Sequence, residues 1–183
     1  MPLFNDMKSA IVNHPGFVSG KYYASCSYST LSNSTLGSGT CYYTYFFIPT
    51  DKNFDSVAFI LSATNAIQKA RIAIYTIANG LPASLVKDFG EITLNIAGGR
   101  EILNSTFLAA GWYAVAVSTN SAAASFLFPS VNLSTYIGLP SINSNNFNGL
   151  SVALTYPSSY SALAAVSGII SATNCPLILL KAG

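Results

Sequence analysis

The stretch ARIAIYTIANGLPASLVKDFG, Ala70 to Gly90, decides the fold class of this chain. From Ala70 to Tyr75 an aliphatic side chain recurs at every second position, which is typical of a half-buried strand and not of a helix. Asn79-Gly80, followed by Leu81-Pro82, predicts a turn, because Gly accepts positive φ and Pro fixes φ at the next corner. The stretch therefore predicts a strand, a tight turn and an approach to the next strand.

The same period of two predicts strands along the rest of the chain, whereas a helical turn is indicated only near the N-terminus, at Asn5 to Asn13. We expect a loop at Ser29 to Gly39, a polar corner at Asp51 to Asp55 and a turn at Gly98-Gly99. The predicted strands are Lys21–Tyr28, Thr40–Ile48, Ser56–Ser62, Ala70–Thr76, Glu91–Ile96, Ile102–Leu108, Gly111–Thr119, Ala124–Phe128, Leu150–Thr155 and Pro176–Leu180.

Many short strands separated by turns predict an all-β fold, an antiparallel two-sheet β-sandwich of jelly-roll-like type. No shift in composition suggests a second domain, so we expect an N-terminal arm over residues 1–20 and one sandwich domain over residues 21–183. The aromatic run from Cys41 to Ile48 leaves two interpretations open: both faces of that strand are covered, or one is a wet aromatic surface.

Charge is scarce and unevenly distributed. Only 8% of residues are charged, and the formal net charge of +2 comes without a basic cluster, which argues against a nucleic-acid partner. Between Glu101 and Lys181 there is no Asp, Glu, Lys, Arg or His. A Ser- and Asn-rich surface would explain this, but we favour a face buried in a homo-oligomer, with a trimer as the preferred size.

Targeting and metal-binding signals are weak. The N-terminal residues lack the apolar segment of a secretory signal, and the apolar stretch Ser161 to Leu180 is interrupted too often by polar residues to predict a membrane span. Cys26, Cys41 and Cys175 have no CxxC spacing and cannot all pair. We therefore expect buried thiols, with no disulfide framework, no metal site and no cofactor.

Catalytic residues are few. The one histidine, His14, lies in the predicted arm beside Pro15, which is a poor setting for a nucleophile and its base. A glycosidase needs two facing carboxylates, for which Asp88 and Glu91 are the best candidates, although turn capping and surface solvation explain them more simply. The sequence predicts that the protein is not an enzyme, with a glycan-cleaving enzyme as the weakest alternative.

Sugar binding is the stronger alternative, because exposed aromatic rings can stack on sugars. Tyr22, Tyr23 and Trp112 are the candidate stacking residues. Aromatic residues on period-two runs more often belong to a core or to a subunit interface, and that simpler explanation stays open for each of them.

Three segments carry a resemblance to a known family: YYTYFFIPTDKNFDSVAFILSAT (Tyr42 to Thr64), ARIAIYTIANGLPASLVKDFGEITL (Ala70 to Leu94) and FLAAGWYAVAVST (Phe107 to Thr119). Together they resemble a β-sandwich domain of bacteriophage virion proteins, as in tail-fibre-like and capsid-decoration proteins. The motifs that match are the strand end Ile74-Tyr75, the turn Gly80-Leu81-Pro82, the strand start Gly111-Trp112-Tyr113 and the closing strand Pro176 to Leu180.

The resemblance implies a structural protein on the virion surface, made in the host cytoplasm, with no catalytic residue. Capsid decoration is the first expectation, with the major capsid protein as partner. The alternative is a tail-fibre or receptor-binding knob that contacts tail proteins and binds a host surface glycan. The candidate interface residues are Phe4, Met7, Ile11, Val12, Tyr136, Phe147, Tyr156 and Tyr160.

Overall fold

The computed structural model describes residues 16–24, 30–130, 149–153, 156–160, 170–172 and 175–183, none of which is helical. The strands are β1 (Tyr22–Ala24), β2 (Thr30–Thr35), β3 (Thr40–Ile48), β4 (Lys52–Ala63), β5 (Lys69–Ala78), β6 (Leu81–Thr93), β7 (Gly98–Leu108), β8 (Gly111–Thr119), β9 (Ser125–Ser130), β10 (Gly149–Ala153), β11 (Ile170–Ala172) and β12 (Ile178–Ala182). The predicted helical turn at Asn5 to Asn13 lies outside the described residues.

The strands form two antiparallel sheets, which confirms the predicted all-β sandwich. Sheet A has the order β1-β12-β4-β9-β2, and β7 pairs with β4 from the other side. Sheet B has the order β11-β10-β3-β8-β5-β6. The long strand β4 organises sheet A, since β12, β9 and β7 all pair with it, and β8 lies at the centre of sheet B.

The main core lies between the two sheets. Sheet A contributes Phe54 and Phe59 from β4, and sheet B contributes Val115 and Val117 from β8, all of them at most 1% exposed. Each such side chain stabilises the fold by about 1.5–3 kcal/mol relative to an exposed one. A second, smaller cluster covers the other side of sheet B, the side that faces away from sheet A.

Because of that second cluster, β5 is buried on both of its faces. Its alternation predicts a half-buried strand, yet Ala73 and Tyr75 on the outer side are as buried as Ile72 and Ile74 on the inner side. The prediction of a half-buried strand is therefore wrong. The strand is covered twice because aromatic side chains, Tyr160 among them, pack over the outer face of sheet B.

The hairpin between β5 and β6 contains the predicted turn. Asn79 and Gly80 have φ angles of 52° and 77°, and Ala78 pairs directly with Leu81. Two residues with positive φ make a type I′ turn, whose twist matches the flanking strands. The second strand begins immediately at Leu81, so the predicted start at Glu91 is wrong. Pro82 is tolerated there because β6 lies at the edge of sheet B, where a missing N–H costs no ladder bond.

Three further expectations about loops are wrong. The predicted loop at Ser29 to Gly39 contains β2, which pairs with β9 over its full length. The predicted corner at Asp51 to Asp55 lies largely in β4, which absorbs the polar residues with a bulge between Phe54 and Ser56. Gly98-Gly99 opens β7 and pairs with β4. In each case a long-range backbone partner outweighs the local turn propensity.

Candidate functional site

The outer face of sheet B contains a trough along its central strand. The outward side chains of Ala114 and Ala116 on β8 are small. Larger side chains of β3 lie opposite them, with Tyr45 opposite Ala114 and Tyr43 opposite Ala116. Tyr75 on β5 also lies opposite Ala114. Because tyrosines border a row of small residues, the sheet offers a groove that another aromatic side chain can enter.

Tyr160 fills one end of this trough. Its hydroxyl lies 3.0 Å from Ser118 Oγ and 3.6 Å from Cys41 Sγ, and it donates to the carbonyl of Arg71 at 3.3 Å. Its ring meets that of Tyr75 edge to face, with 6.0 Å between centroids. Tyr160 is 7% exposed, so its hydroxyl needs these partners inside the protein.

Asp88 on β6 holds the backbone of Tyr160. The Tyr160 N–H donates to Asp88 Oδ2 at 3.1 Å, and the Gly90 N–H donates to Oδ1 at 2.8 Å. Arg71 forms an ion pair with the same carboxylate at 3.0 Å, and the two side chains are only 13% and 19% exposed. Together with Cys41 and Ser118 these residues form what we call the Tyr160 network.

Glu91 holds the other end of the same segment. Its carboxylate lies 2.6 Å from Lys69 Nζ and accepts a hydrogen bond from the Tyr156 hydroxyl at 2.8 Å. These two hydrogen bonds keep the pKa of Glu91 below its usual value, with Lys69 as the larger cause. The two carboxylates proposed for glycan cleavage thus both tie residues 156–160 to sheet B.

The Cys41 thiol in this network is not activated. Burial raises its pKa to about 11, and the hydrogen bond to Tyr160 only partly offsets that rise. A thiol with so high a pKa is almost entirely protonated at neutral pH and is a poor nucleophile. Cys41 and Cys175 are both buried, as the sequence predicts, and Cys26 lies outside the described residues.

The opposite end of the trough opens into a pocket of about 550 Å³ lined by Tyr45, Ile77, Asn79, Gly80 and Trp112. We call this the Trp112 pocket. Trp112 is 40% exposed, and its ring lies 4.9 Å from that of Phe47. The Tyr45 hydroxyl donates to the Gly80 carbonyl at 2.6 Å and so ties the β5–β6 turn to β3. Burial raises the pKa of Tyr45 to about 12, which keeps this donor protonated at neutral pH.

A smaller groove of about 280 Å³ lies on the outer face of sheet A, lined by Tyr22, Ala58, Phe59, Ile60, Gly99, Arg100, Glu101 and Leu179. Lys181 Nζ lies over the Tyr22 ring, 5.6 Å from its centroid, and 3.8 Å from a Glu101 oxygen. Ser56 donates a hydrogen bond to Glu101, which is the largest cause of the lowered Glu101 pKa. Lys181 therefore lies over one face of the Tyr22 ring.

The three candidate stacking residues lie in different places. Trp112 lines the pocket at the end of the trough, whereas Tyr22 lies on the other sheet. Tyr23 packs at the edge of the core, where its ring lies 4.8 Å from Phe17 and its hydroxyl accepts a hydrogen bond from the Val18 N–H at 2.7 Å. The structure therefore does not bring the three together into one site.

Among the candidate interface residues, Tyr156 and Tyr160 contact sheet B of their own chain. Outside the described residues lie Phe4, Met7, Ile11, Val12, Tyr136 and Phe147. Sequence reasoning missed Asn79 as a pocket residue, as well as the role of Ser118 and Arg71 in holding Tyr160. The row of small residues on one face of β8 was the signal that a groove runs along that strand.

The described residues contain neither a candidate membrane-spanning helix nor a metal-binding cluster. The described part of the chain contains no helix that is long and apolar enough to cross a membrane. Within the same residues, no three His, Cys, Asp or Glu side chains are grouped so that they could hold a metal ion.

No protein-family model matches the sequence, and no curated protein sequence matches it. Among solved structures, the cysteine protease and lectin-like domains of Cwp84, a surface layer associated protein of Clostridium difficile, are 16% identical with a TM-score of 0.44, over 82% of this chain and 36% of that one. A clostridial Cwp84 cysteine protease after propeptide cleavage is 18% identical with a TM-score of 0.47, over 88% of this chain and 40% of that one.

This chain spans well under half of each of those proteins. At this level of identity and superposition, neither likeness carries an argument about ligand, activity or location. The resemblance to bacteriophage virion proteins stays a prediction from the sequence.

Proposed function

We propose that this chain is a non-catalytic structural protein on the surface of a bacteriophage virion, where it assembles as a homo-oligomer. The motif resemblance supports the virion setting. Within the particle, capsid decoration is the first placement, with the major capsid protein as partner and a trimer as the assembled unit.

The observation that carries the proposal is the edge strand β7. It pairs with β4 along one side, and within the described residues no strand pairs with its other side. It exposes Leu103 and Phe107, which are 76% and 57% exposed. A long edge strand with exposed apolar side chains is a template for pairing with another chain, so soluble proteins normally cover or blunt it. We infer that a second copy of this chain covers it.

Sheet B contains an edge strand, β6, that pairs on one side only within the described part of the chain and carries features that protect such an edge. The edge strand β6 has three register shifts against β5, and it carries Pro82, Lys87 and Glu91. Bulges, proline and charges are the usual protection against edge-to-edge pairing. The part of β7 from Ile102 onward lies in the uncharged stretch that ends before Lys181, and Leu103 and Phe107 belong to that part. The contrast between the two edges favours an assembly contact at β7.

Sedimentation and particle labelling test the proposal. We expect wild-type protein to sediment as an oligomer at micromolar concentration, and Leu103→Ser with Phe107→Ser to shift it toward monomer, since each buried apolar side chain contributes about 1.5–3 kcal/mol. Ile67→Ser is the matched control, because Ile67 is 83% exposed but lies outside the edge strand. A monodisperse wild-type monomer would contradict the oligomer. Gold-labelled antibody that never marks intact particles would contradict the virion role.

A second candidate function is favoured by the Trp112 pocket, namely a tail-fibre or receptor-binding knob that holds a host glycan. Label found at the tail would favour this placement over capsid decoration. Glycan cleavage is the weakest candidate, because Arg71 and Lys69 already engage the carboxylates of Asp88 and Glu91. If Asp88→Asn abolished the release of sugar from host polysaccharide without lowering stability, the non-catalytic proposal would fail.

A further inference from the structure

We infer that the Trp112 pocket binds a neutral hexopyranose unit, with the indole of Trp112 as the stacking face and Asn79 as the hydroxyl-binding group. The inference rests on the receptor-binding candidate for its biological meaning. The binding itself is a property of the isolated chain, so it can be measured without a virion.

The stacking surface is the first support. Trp112 lies where β8 begins, at the open end of the trough, and this large aromatic residue is 40% exposed. Phe47 stands opposite it in the register of β3 and β8, with an interplanar angle of 47°. A ring supported from its side is held in one orientation, which lowers the entropy that a ligand must remove on binding. The C–H face of a pyranose is the apolar surface that such a ring accepts.

The turn that supplies the polar groups is hydrogen-bonded to the neighbouring strand β3. Asn79 has a φ of 52°, a conformation that non-glycine residues rarely adopt and that Asn tolerates better than most. The hydrogen bond from Tyr45 to the Gly80 carbonyl holds this turn against the sheet. The exposed Asn79 amide offers both a donor and an acceptor, a combination that matches neighbouring hydroxyl groups on a sugar ring.

The lining predicts the charge of the ligand. Among the described residues, the five that line the pocket carry no charge, so a neutral ring is favoured over a uronic acid or a phosphorylated sugar. A volume of about 550 Å³ falls within the range of small-molecule sites, and a predominantly apolar lining with a few polar groups is typical of such sites. The Tyr22 groove differs, because Arg100, Glu101 and the nearby Lys181 surround its tyrosine with charge.

The test uses the fact that Trp112 is the one tryptophan in the chain. Its fluorescence therefore reports on this pocket alone. The probes are the methyl glycosides of glucose, galactose, mannose and N-acetylglucosamine, with methyl glucuronide as the charged comparison, each at millimolar concentration. We expect a saturable change in emission with at least one neutral glycoside, and weaker binding of the glucuronide.

Two variants locate the binding, and a third serves as the control. Affinity is measured by titration calorimetry, so that the tryptophan is not required as a reporter. Trp112→Leu should weaken affinity at least tenfold, or about 1.4 kcal/mol. Asn79→Gly keeps the positive φ of the turn and removes only the amide, so it should weaken affinity about threefold to tenfold, as expected for one hydrogen bond. Tyr22→Leu, an exposed ring on the other sheet, should leave affinity unchanged.

The inference is overturned if folded wild-type protein binds none of the neutral glycosides, or if Trp112→Leu binds as tightly as wild type. It is also overturned if Tyr22→Leu, and not Trp112→Leu, removes binding. If antibody marks the protein on the virion but the protein binds no sugar, only the inference about this pocket is contradicted. If the protein binds sugar but antibody never marks it on a virion, the proposed function is contradicted and the inference about the pocket stands.

Discussion

The hydroxyl of Tyr160 lies 3.0 Å from the hydroxyl of Ser118, although 42 residues separate them in the chain. The contact closes one end of the trough on sheet B and leaves the other end open as the Trp112 pocket. Because Asp88 and Glu91 also hold residues 156–160, the segment is attached at its backbone and at both of its tyrosine side chains. Tyr160 therefore fills one end of the trough, and the other end stays open as the Trp112 pocket.

Removing the Tyr160 hydroxyl should destabilise the fold. Tyr160→Phe leaves the Ser118 hydroxyl, which is 1% exposed, without this partner. We expect a loss of about 1–3 kcal/mol in the free energy of unfolding, the cost of a buried polar group left unsatisfied. Urea denaturation with an unchanged m-value would measure it. Tyr113→Phe is the matched control, since its exposed hydrogen bond to the Ala109 carbonyl can be replaced by water. Equal losses in the two variants would contradict the network.

The ion pair between Arg71 and Asp88 should contribute more than the one between Lys69 and Glu91. Arg71→Met leaves a largely buried carboxylate without its cation, so we expect a loss of about 1–3 kcal/mol, below the ~3–5 kcal/mol of a fully buried pair. Lys69→Met should cost about 0–1 kcal/mol, because the Lys69 side chain is 45% exposed and solvent screens the pair.

Denaturant titrations of both variants at low and high salt would measure the difference between the pairs. Adding Asp88→Asn to Arg71→Met should recover part of the loss, since it removes the uncompensated charge. If the double variant is less stable by the sum of the single effects, the two side chains do not act as a pair.

Stability should fall at alkaline pH. Burial raises the pKa of Tyr43, Tyr75 and Tyr160 above the unfolded value of about 10. A pKa that is raised on folding adds to the free energy of unfolding. This stabilisation is fully present below the pKa of the unfolded chain and is lost as pH rises toward the pKa of the folded chain, because the unfolded chain ionises first. Cys41 adds a similar loss above about pH 8.5.

Unfolding free energies measured between about pH 8 and pH 11, alongside a spectrophotometric tyrosine titration, would check this expectation. The buried tyrosines should ionise only together with unfolding. Ionisation of all eleven tyrosines near pH 10 with the fold intact would contradict their burial.

Substitution of Gly80 should destabilise the β5–β6 turn. An added Cβ at Gly80 meets no heavy atom within 4 Å, so the cost of Gly80→Ala comes from its φ of +77° and not from a clash. We expect a loss of about 1–2 kcal/mol. In a domain of this size that lowers the melting temperature by about 2–4 °C per kcal/mol.

Gly99→Ala provides the control in calorimetry. Gly99 also has open space around its Cβ position but lacks the positive φ. Its substitution should stay within about 0.5 kcal/mol of wild type. A loss at Gly99 as large as that at Gly80 would show that backbone conformation is not the cause.

Local patterns in the sequence predicted much of sheet B. The strands β3 and β8 match their predicted bounds, Thr40–Ile48 and Gly111–Thr119, because alternation of side chains reports directly on which face is covered. For the aromatic run in β3 the structure favours coverage of both faces, since Tyr43 and Tyr45 on the outer side are buried. By contrast, TLSNST in β2 has no such alternation, and the Ser, Asn and Gly residues of Ser29 to Gly39 led to the prediction of a loop.

By itself, the sequence determined the strand character of most of the chain, the position of the turn at Asn79-Gly80, and the lack of charge between Glu101 and Lys181. These are properties of neighbouring residues, set by side-chain period and by the φ values that each residue tolerates. Only the tertiary structure decided that β2 pairs with β9, that Tyr160 enters the trough, and that Trp112 and Asn79 line one pocket. Those contacts depend on which distant strands lie side by side, and many pairings bury the same local pattern equally well.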